Sequence, residues 1–342
     1  MSKLHILPEE HEENTPEQPR PPRVADRVRA PQFTRNDVYP RAIVDGRERR
    51  DNTWTRLRAW MKRAATSRGE REEAELEQQL RTGRRVSRTN TIAVISPKGG
   101  VGKTTCTFLL GNLLASHLKL RVLAIDANRD FGTLAELAPT SGRVQKSAAD
   151  LLGHLGKIDS APALAPYVSA LPSGLHLLAA PEHAEVMAEM DARHYGQLLA
   201  FLSRYYDAIL LDLGTGIVDP LAQFALGRAD QALVVTTPEF VTSSKVLGAL
   251  RYLNTEVERP DHDGPDERLT VVLNRVPGSR SGDRQVIEAA FRRLGANRHV
   301  VIPHDERLRV MLDSATYTLE GLGRSSRIPL KQMGLTVAQR LV

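Results

Sequence analysis

From residue 91 onward, short runs of apolar and β-branched residues alternate with longer stretches of helical periodicity. Near-continuous apolar runs separated by helices are typical of a parallel sheet that is covered on both faces. The predicted strands are 91–96, 121–126, 175–180, 208–213, 232–237, 269–274 and 299–303. The predicted helices are 103–117, 146–155, 182–205, 217–227, 241–255, 283–294 and 329–341. The pattern therefore predicts an α/β fold with a doubly wound, mostly parallel sheet.

The first 90 residues do not follow this pattern. Residues 1–51 are rich in proline and charge and poor in large apolar side chains, which predicts a disordered tail because little surface is available to offset the ordering entropy. Residues 52–88 are predicted as a helical linker. Its segment 52–65 holds both tryptophans of the chain, and its apolar residues lie at helical spacing among four basic residues. The segment 70–81 is predicted to form a charged helix or linker. The α/β domain is assigned to 89–342.

Charge and cysteine content narrow the class of protein. Residues 1–90 hold 20 Lys/Arg and 15 Asp/Glu, whereas the remainder holds 27 and 26, so most of the net charge of +6 lies in the N-terminal quarter. Such a basic segment suits an anionic membrane surface or DNA. One cysteine excludes a disulfide framework and a cysteine-rich metal centre. With no apolar run of about 20 residues and no secretory signal, we expect a cytoplasmic protein.

The chemistry of the domain begins at the sequence SPKGGVGKTT, residues 96–105, between the first predicted strand and the first predicted helix. Glycines let the backbone N–H groups approach phosphate oxygens, Lys103 supplies positive charge, and the Thr104 hydroxyl can bind Mg²⁺. Thr105 can meet the α-phosphate. The usual pattern would have glycine at Pro97. The predicted phosphate-binding residues are Lys98, Gly99, Gly100, Val101, Gly102, Lys103, Thr104 and Thr105.

KGGVGKTT resembles the deviant Walker A motif of the MinD/ParA family of ATPases, in which the first glycine is often absent and a lysine stands at the place of Lys98. The resemblance covers about residues 91–342 and makes 89–342 a P-loop ATPase domain. It implies ATP and Mg²⁺ as cofactors, and a homodimer in the ATP state. Lys98 would then reach across the dimer interface to phosphates bound by the other subunit.

Further residues match the family at the ends of predicted strands. Asp126 matches an aspartate near the metal and the attacking water, and Asp212 matches the Walker B aspartate. The resemblance implies that Gly216 senses the γ-phosphate, that Asn274 reads the adenine edge and that Pro303 lies beside the base. The implied metal ligands are Thr104, Asp126 and Asp212.

The sequence departs from the family at one catalytic position. The family carries a second aspartate two residues after Asp126, and here Asn128 takes its place, with Asp130 two residues further on. An amide can orient water but cannot accept its proton. The predicted catalytic residues are therefore Lys98, Lys103, Asp126, Asn128 and Asp130, and hydrolysis should be slow.

Three functions remain open at this point. The first is an ATP-gated dimeric switch that positions or partitions a cargo with the help of an activating or cargo protein. The second is a nucleotide-stabilised scaffold that does not hydrolyse ATP, and the third is an ATP-dependent ligase, for which no acceptor motif is present. The string DANRDFGTL also resembles MinD-like proteins of actinobacteria, some linked to specialised secretion. The switch would work in the cytoplasm, peripherally on the inner face of the membrane or on the nucleoid.

The surface that such a switch binds is also left open. The basic segment 52–65 suits an interfacial helix on a membrane, DNA phosphates, its own domain or a protein partner. The C-terminal segment has Leu330, Met333, Val337 and Leu341 at helical spacing, and we expect it to pack onto the domain as the last helix.

Overall fold

The computed structural model describes residues 68–82, 86–129, 132–239, 245–246, 248–249, 267–277, 289, 291–292 and 298–342. Its centre is an eight-stranded sheet in the order β3-β4-β2-β5-β1-β6-β7-β8. The strands are β1 Asn90–Ser96, β2 Val122–Ala127, β3 Ser169–Ala170, β4 Leu175–Leu178, β5 Ala208–Thr215, β6 Gln231–Thr236, β7 Leu269–Val276 and β8 His299–Pro303. All neighbours pair in parallel except β3, which pairs antiparallel with β4. The predicted doubly wound sheet is confirmed.

Helices cover both faces of the sheet. They are α1 (68–81), α2 Lys103–Leu118, α3 Ala148–Leu152, α4 Ala184–Glu189, α5 Ala192–Leu202, α6 Pro220–Arg228, α7 Glu306–Asp313 and α8 Arg324–Ala338. One apolar cluster joins α3, α5 and α6 to one face, and a second joins α2 and α8 to the other. Within β1, Ala93 and Ile95 enter the first cluster and Ile92 and Val94 the second, which is why the strand reads as a continuous apolar run.

The predicted helix 182–205 is wrong as a single element, because the chain breaks at Met190 and Asp191 between α4 and α5. Asp191 adopts an extended conformation and its carboxylate accepts a hydrogen bond from the backbone N–H of His194. That hydrogen bond starts a new helix, since a capping carboxylate satisfies an N–H that has no partner inside the helix.

The last helix starts earlier than predicted, at Arg324 in place of Pro329. Proline is favoured in the first turn of a helix, but here α8 continues through it. Leu330, Met333, Val337 and Leu341 are buried, which confirms that the C-terminal segment packs onto the domain. The pattern also missed α7 and the two-residue β3. The predicted helices 241–255 and 283–294 lie largely outside the described residues.

Ion pairs hold α1 against α8. The Glu73 carboxylate contacts the guanidinium groups of Arg324 and Arg327, at 3.2 and 2.7 Å, and the Lys331 ammonium at 3.1 Å. Lys331 also contacts Glu77 at 3.0 Å and is 4% exposed. Leu80, near the end of α1, is fully buried in the second apolar cluster. We refer to the contacts of Glu73 and Glu77 with α8 as the α1–α8 clasp.

The clasp also fixes the direction of α1. Glu70 contacts Arg324 at 3.1 Å. Glu77 contacts Lys331, and both of these residues lie two turns further along their helices, so the two helices run parallel. The start of α8 lies next to the carboxyl end of β8, because Ser326 donates a hydrogen bond to the Asp305 carboxylate. Residue 68 therefore lies near the edge of the sheet where the parallel strands end. The tail at 1–51 and the segment 52–65 lie outside the described residues, and the domain boundaries stay predictions.

Among the residues that the structure describes, no helix combines the length and the apolar character that a membrane span requires.

The α1–α8 clasp gives a prediction on stability. Hydrogen bonding to Arg327, and then to Lys331 and Arg324, lowers the pKa of Glu73 to about 2. A carboxylate with a depressed pKa stabilises the fold fully above its unfolded pKa, and this stabilisation is lost as pH falls toward the folded pKa. We expect Glu73→Gln to lower the free energy of unfolding at pH 7 by about 2–3 kcal/mol, and by less at pH 3.

Urea unfolding of both proteins at the two pH values measures this difference. The control is Glu75→Gln, which removes an exposed carboxylate from the same helix and should change stability by less than about 0.5 kcal/mol. Equal losses for the two variants at pH 7 would contradict the assigned role of the clasp.

Candidate nucleotide-binding site

Most of the predicted site residues come together at the carboxyl edge of the sheet. Asp126 is the last residue but one of β2 and Asp212 lies in the second half of β5, and the two residues stand directly opposite each other in adjacent strands. The loop after β1 lies beside them, and Asn274 and Pro303 are near the ends of β7 and β8. Ligands of open parallel sheets bind at this edge, so the arrangement suits a single ligand site.

The loop between β1 and α2, residues 97–102, has a defined backbone. The Ser96 hydroxyl donates a hydrogen bond to the Lys98 carbonyl at 2.9 Å and accepts one from the Lys98 N–H at 3.2 Å. Gly102 adopts φ +89°, and a Cβ there would lie 2.3 Å from the Asn274 amide nitrogen. Both the left-handed backbone and the close contact require glycine at this position. The loop then enters α2 at Lys103 with its N–H groups available at a helix start.

A buried ion pair lies under the loop. The Lys103 ammonium is 2.9 Å from Oδ1 of Asp212, and the side chains are 8% and 0% exposed. The Thr107 hydroxyl lies 3.3 Å from the same oxygen and 3.2 Å from the Lys103 carbonyl. The other Asp212 oxygen, Oδ2, is buried without a hydrogen-bond partner among the described residues. Such an oxygen can accept a hydrogen bond from a ligand or from a metal-bound water.

Asp126 is fully buried and accepts two backbone hydrogen bonds. Its Oδ1 accepts from the Asn128 N–H at 3.2 Å, and its Oδ2 accepts from the Leu134 N–H at 2.9 Å. Gly132 makes room for this carboxylate, since a Cβ there would lie 2.0 Å from Oδ1. Burial, followed by the charge of Asp212, raises the pKa of Asp126 to about 7. A nearby cation would favour the ionised form of Asp126.

The segment after Asp126 is only partly described. The Asn128 side chain lies close to the backbone of β5, where a Cβ on Gly214 would be 3.1 Å from its Oδ1. Arg129 donates to the Ala188 carbonyl at 3.3 Å and lies 3.7 Å from the Asp219 carboxylate at the start of α6. Asp130 lies outside the described residues. The catalytic roles assigned to Asn128 and Asp130 stay predictions.

The end of β7 holds the loop from the other side. The Asn274 amide donates to the Val101 carbonyl at 2.9 Å, and the Arg275 guanidinium donates to the Gly100 carbonyl at 2.9 Å. The Arg275 N–H in turn donates to the Asn274 side-chain oxygen at 2.9 Å, with Arg275 at φ +56°. These contacts fix two carbonyls of the loop and leave its N–H groups to other partners.

The remaining predicted residues lie around this edge. The Gly216 N–H, predicted to sense the γ-phosphate, donates to the Ser96 carbonyl at 3.3 Å. Thr104 and Thr105 are half-buried in the first turn of α2, and Pro303 is half-buried at the end of β8. Lys98 is half-buried and Gly99 and Gly100 are exposed at the outer side of the loop.

The residues present are compatible with Mg²⁺. In the described part of the chain no group of three or more His, Cys, Asp or Glu side chains could hold a metal. Magnesium in phosphate-loop sites usually has few protein ligands, the rest being phosphate and water oxygens. The unpartnered Asp212 oxygen and the Asp126 carboxylate with its raised pKa both suit a nearby dication, with Thr104 as a hydroxyl ligand.

Three contributors were missed by the sequence analysis. Thr107 lies one helical turn after Lys103, so i,i+4 spacing could have revealed its place beside Asp212. Gly132 lies in a loop, and nothing local in the sequence indicates that it packs against Asp126. Arg275 directly follows Asn274, but its contact with a loop 175 residues earlier follows only from the strand order.

This fold and this edge define a phosphate-loop nucleotide-binding protein, and comparison with known families agrees. Residues 92–315, about two thirds of the chain, match the family described as the CobQ/CobB/MinD/ParA nucleotide binding domain. The chain belongs to this family, as a P-loop ATPase of MinD/ParA type.

Several proteins are similar over most of the chain. The ESX-1 secretion-associated protein EspI of Mycobacterium tuberculosis is 28% identical over 240 residues, 69% of this chain and 35% of EspI. The chain thus spans about a third of the length of EspI. The septum site-determining protein MinD of Thermotoga maritima is 28% identical over 274 residues, 74% of this chain and 94% of MinD.

A solved structure has the same fold. The septum site-determining protein MinD of Pyrococcus horikoshii, in complex with Mg-ADP, superposes with a TM-score of 0.55. The sequences are 21% identical, and the match covers 71% of this chain and 94% of the other.

The raised pKa of Asp126 predicts a pH-dependent stability. A carboxylic acid with a raised folded pKa binds its proton more tightly in the native state, so the fold loses stability as pH rises from about 4 to about 7. Asp126→Asn removes this loss. We expect the nucleotide-free variant to gain stability relative to the wild type between pH 5 and pH 8, by about 1.4 kcal/mol for each unit of pKa shift titrated.

Chemical denaturation of the nucleotide-free protein across this range measures the effect. Asp159→Asn, at an exposed position, serves as the matched control and should show no trend with pH. A stability difference between Asp126→Asn and the wild type that stays constant from pH 5 to pH 8 would rule out the raised pKa.

Proposed function

We propose that the protein is an ATP-dependent dimerising switch of MinD/ParA type, which binds ATP with Mg²⁺ and hydrolyses it slowly to control the positioning or partition of a cargo. The observation that carries this proposal is the buried pair of Lys103 and Asp212 under a glycine-rich loop, with Asp126 opposite Asp212 at the same sheet edge. The MinD of P. horikoshii was solved with Mg-ADP, which supports the same cofactors here.

In this proposal Lys103 changes its partner when ATP binds. Its ammonium leaves Asp212 and moves to the phosphates, where the N–H groups of 99–105 also donate. Thr104, Asp126 and Asp212 would hold Mg²⁺, and the bound ion would supply positive charge that offsets the negative charge of the phosphates. Thr107 keeps its hydroxyl on Asp212 throughout and holds that carboxylate in place.

Two other groups also exchange a protein partner for the nucleotide. The Gly216 N–H, now on the Ser96 carbonyl, turns to the γ-phosphate, and the Asn274 amide, now on Val101, turns to the adenine edge with Pro303 beside the base. Arg275 retains its contact with Gly100 and keeps the loop in register. Nucleotide binding would thereby alter contacts at the ends of β1, β5 and β7, which is the property a switch requires.

In this proposal, Lys98 links nucleotide binding to dimerisation. It lies near the start of the loop, five residues before Lys103, and is half-buried. We infer that its ammonium contacts phosphates bound by a second copy of the chain, so that ATP closes the homodimer. Asn128 orients the attacking water without accepting its proton, and hydrolysis stays slow until an activating partner supplies what is missing.

The relatives indicate only the class of cargo that the protein would position. MinD of T. maritima is a septum site-determining protein and EspI is secretion-associated, so a septum, DNA or a polar or secretion assembly are the candidate cargoes. The basic segment 52–65 is proposed to bind an anionic membrane surface or DNA, at the cytoplasmic membrane face or on the nucleoid.

Asn128 also favours a second candidate, a scaffold that ATP stabilises without being hydrolysed. Turnover separates it from the switch, because a scaffold would dimerise with ATP and produce no ADP. An ATP-dependent ligase remains the weakest candidate, and ATP consumption only in the presence of a small-molecule acceptor would favour it.

The two lysines should have separable effects. We expect Lys103→Ala to weaken ATP binding by about 10–100-fold, because a charge-assisted contact with phosphate is lost. Lys98→Ala should leave ATP affinity of the monomer within about twofold, since it contacts the other subunit, but should weaken ATP-dependent dimerisation at least about tenfold. Calorimetry and light scattering with size-exclusion chromatography measure the two quantities.

Lys157→Ala, at an exposed site, is the control for both assays. Thermal unfolding shows whether Lys103→Ala retains the fold, and Lys103→Arg keeps the charge beside Asp212 if it does not. An ATP-bound dimer of unchanged affinity in Lys98→Ala would disprove the proposed role of Lys98, and unchanged ATP binding in Lys103→Ala would disprove the site.

The position of Asn128 predicts the rate of hydrolysis. Without partners we expect the wild type to turn over less than about once per second, and Asn128→Asp to raise this rate at least about tenfold, because a positioned base contributes roughly 10²–10⁴-fold. A phosphate-release assay measures both rates. Asn128→Gln, which changes the side chain without adding a base, should not accelerate hydrolysis. Wild-type turnover of several per second would contradict the prediction.

A further inference from the structure

A second charged cavity lies at the opposite edge of the sheet, where the parallel strands begin. It has a volume of about 580 Å³ and is lined by arginines from four segments of the chain. Arg88 precedes β1, Arg228 ends α6 just before β6, Arg268 directly precedes β7, and Arg340 follows α8. The order of β1, β6 and β7 as neighbours in the sheet brings these arginines together.

Two of these arginines are fixed by carboxylates at the edge of the cavity. The Arg88 guanidinium lies 2.7 Å from the Asp230 carboxylate, and the Arg340 guanidinium lies 2.7 Å from the Glu267 carboxylate. Asp230 is itself anchored, because its other oxygen accepts the N–H of Thr91 at 2.8 Å. The carboxylates hold the guanidinium planes without filling the cavity between them.

The other two are fixed by uncharged groups. Arg268 donates to the carbonyls of Ala229 and Leu226 at the end of α6, at 2.6 and 3.3 Å. The Arg228 guanidinium lies 5.3 Å from the centre of the Phe224 ring. Because Arg88, Arg268 and Arg340 already have hydrogen-bonded or ionic partners, their ordering would cost a ligand less binding energy in rotamer entropy than that of free side chains.

The cavity carries an excess of positive charge. The described side chains that line it bear four positive charges and one negative charge, that of Asp230, and Glu267 at its edge adds a second negative charge. Arg298, at the start of β8, adds a fifth cation nearby, and its Nη1 is buried with no hydrogen-bond partner in the described part of the chain. Burial and the charge of Arg340 lower the pKa of Arg298. An anion in the cavity would relieve this repulsion.

We propose that this cavity is a binding site for a small, multiply charged anion of the oligophosphate class. Guanidinium groups bind phosphate oxygens in pairs of parallel hydrogen bonds, and four of them around one cavity suit two or three linked phosphates. The site lies at the edge of the sheet remote from the phosphate loop, and the proposal does not depend on what that loop binds.

The shape of the cavity favours a small ligand over a nucleic acid. The arginines converge on one concavity of limited volume, with Asp230 and the largely exposed Glu267 at its edge. A duplex requires a row of cations that follows its backbone, and carboxylates along such a row would repel the phosphates.

The main-chain oxygen of Val342 also lies at this cavity and accepts hydrogen bonds from the N–H groups of Ser87 and Arg88.

Titration calorimetry with inorganic tripolyphosphate, on the full chain at low salt, tests the proposal. We expect binding that survives Lys103→Ala and that, in the Lys103→Ala protein, weakens about tenfold on adding Arg228→Gln and again on adding Arg340→Gln. The matched control, Arg193→Gln, removes an arginine that is 74% exposed on α5 and should bind as the wild type does. Raising the salt concentration should weaken binding, since the contacts are ionic.

Three results would overturn the proposal. The first is that no tripolyphosphate binds at low salt. The second is that binding disappears in Lys103→Ala but is unaffected in Arg228→Gln. The third is that these arginines bind random duplex DNA and do not bind tripolyphosphate. The second would assign the anion to the phosphate loop. Thermal unfolding of each variant checks its fold, and Arg228→Lys, which keeps the charge, should bind more tightly than Arg228→Gln.

Discussion

The contact between Lys103 and Asp212 is the interaction on which the site depends. Neither charge can be removed alone at low cost, because a buried ion without its partner destabilises a fold by about 3–5 kcal/mol. The pair is therefore stable only as long as each member has a counter-charge, whether that is the other side chain or a ligand. A phosphate for the lysine and a cation for the aspartate satisfy this condition together, whereas either one by itself does not. In the proposed function, this constraint would couple the binding of the anion to that of the cation.

The fold could be predicted from the sequence because its strands lie in the middle of the sheet and are buried on both faces. Ile92 to Ile95, for example, have apolar neighbours on either side, so the whole run is apolar and cannot be mistaken for an exposed strand. The same argument failed for β3, which has two residues at the edge of the sheet, and for α7, a short helix in which half of the residues are charged. The start of α8 upstream of Pro329 depends on tertiary contacts, and the local sequence pattern did not indicate it.

Some residues of the site could likewise be predicted from the sequence, and others could not. Lys103, Asp126 and Asp212 lie at or near the ends of predicted strands and helices, so their meeting at one edge of the sheet could be predicted from spacing and from a family resemblance. The groups that support them cannot be found in this way. Gly132 is required by the volume of one carboxylate, and Arg275 by the position of a loop in a different part of the chain. Such requirements appear only when the backbone is assembled, since they depend on distances between segments that are remote in sequence.

The parallel arrangement of α1 and α8 has a consequence for how the tail is attached. Because α1 begins beside the first turn of α8, the polypeptide that precedes residue 68 joins the domain at the rim that carries the phosphate loop, and α1 then carries the chain across to the start of β1. The basic residues of 52–65 are thus tethered within a few residues of this rim. A surface bound by this segment, as proposed above, would therefore be joined to the domain at the same rim as the phosphate loop.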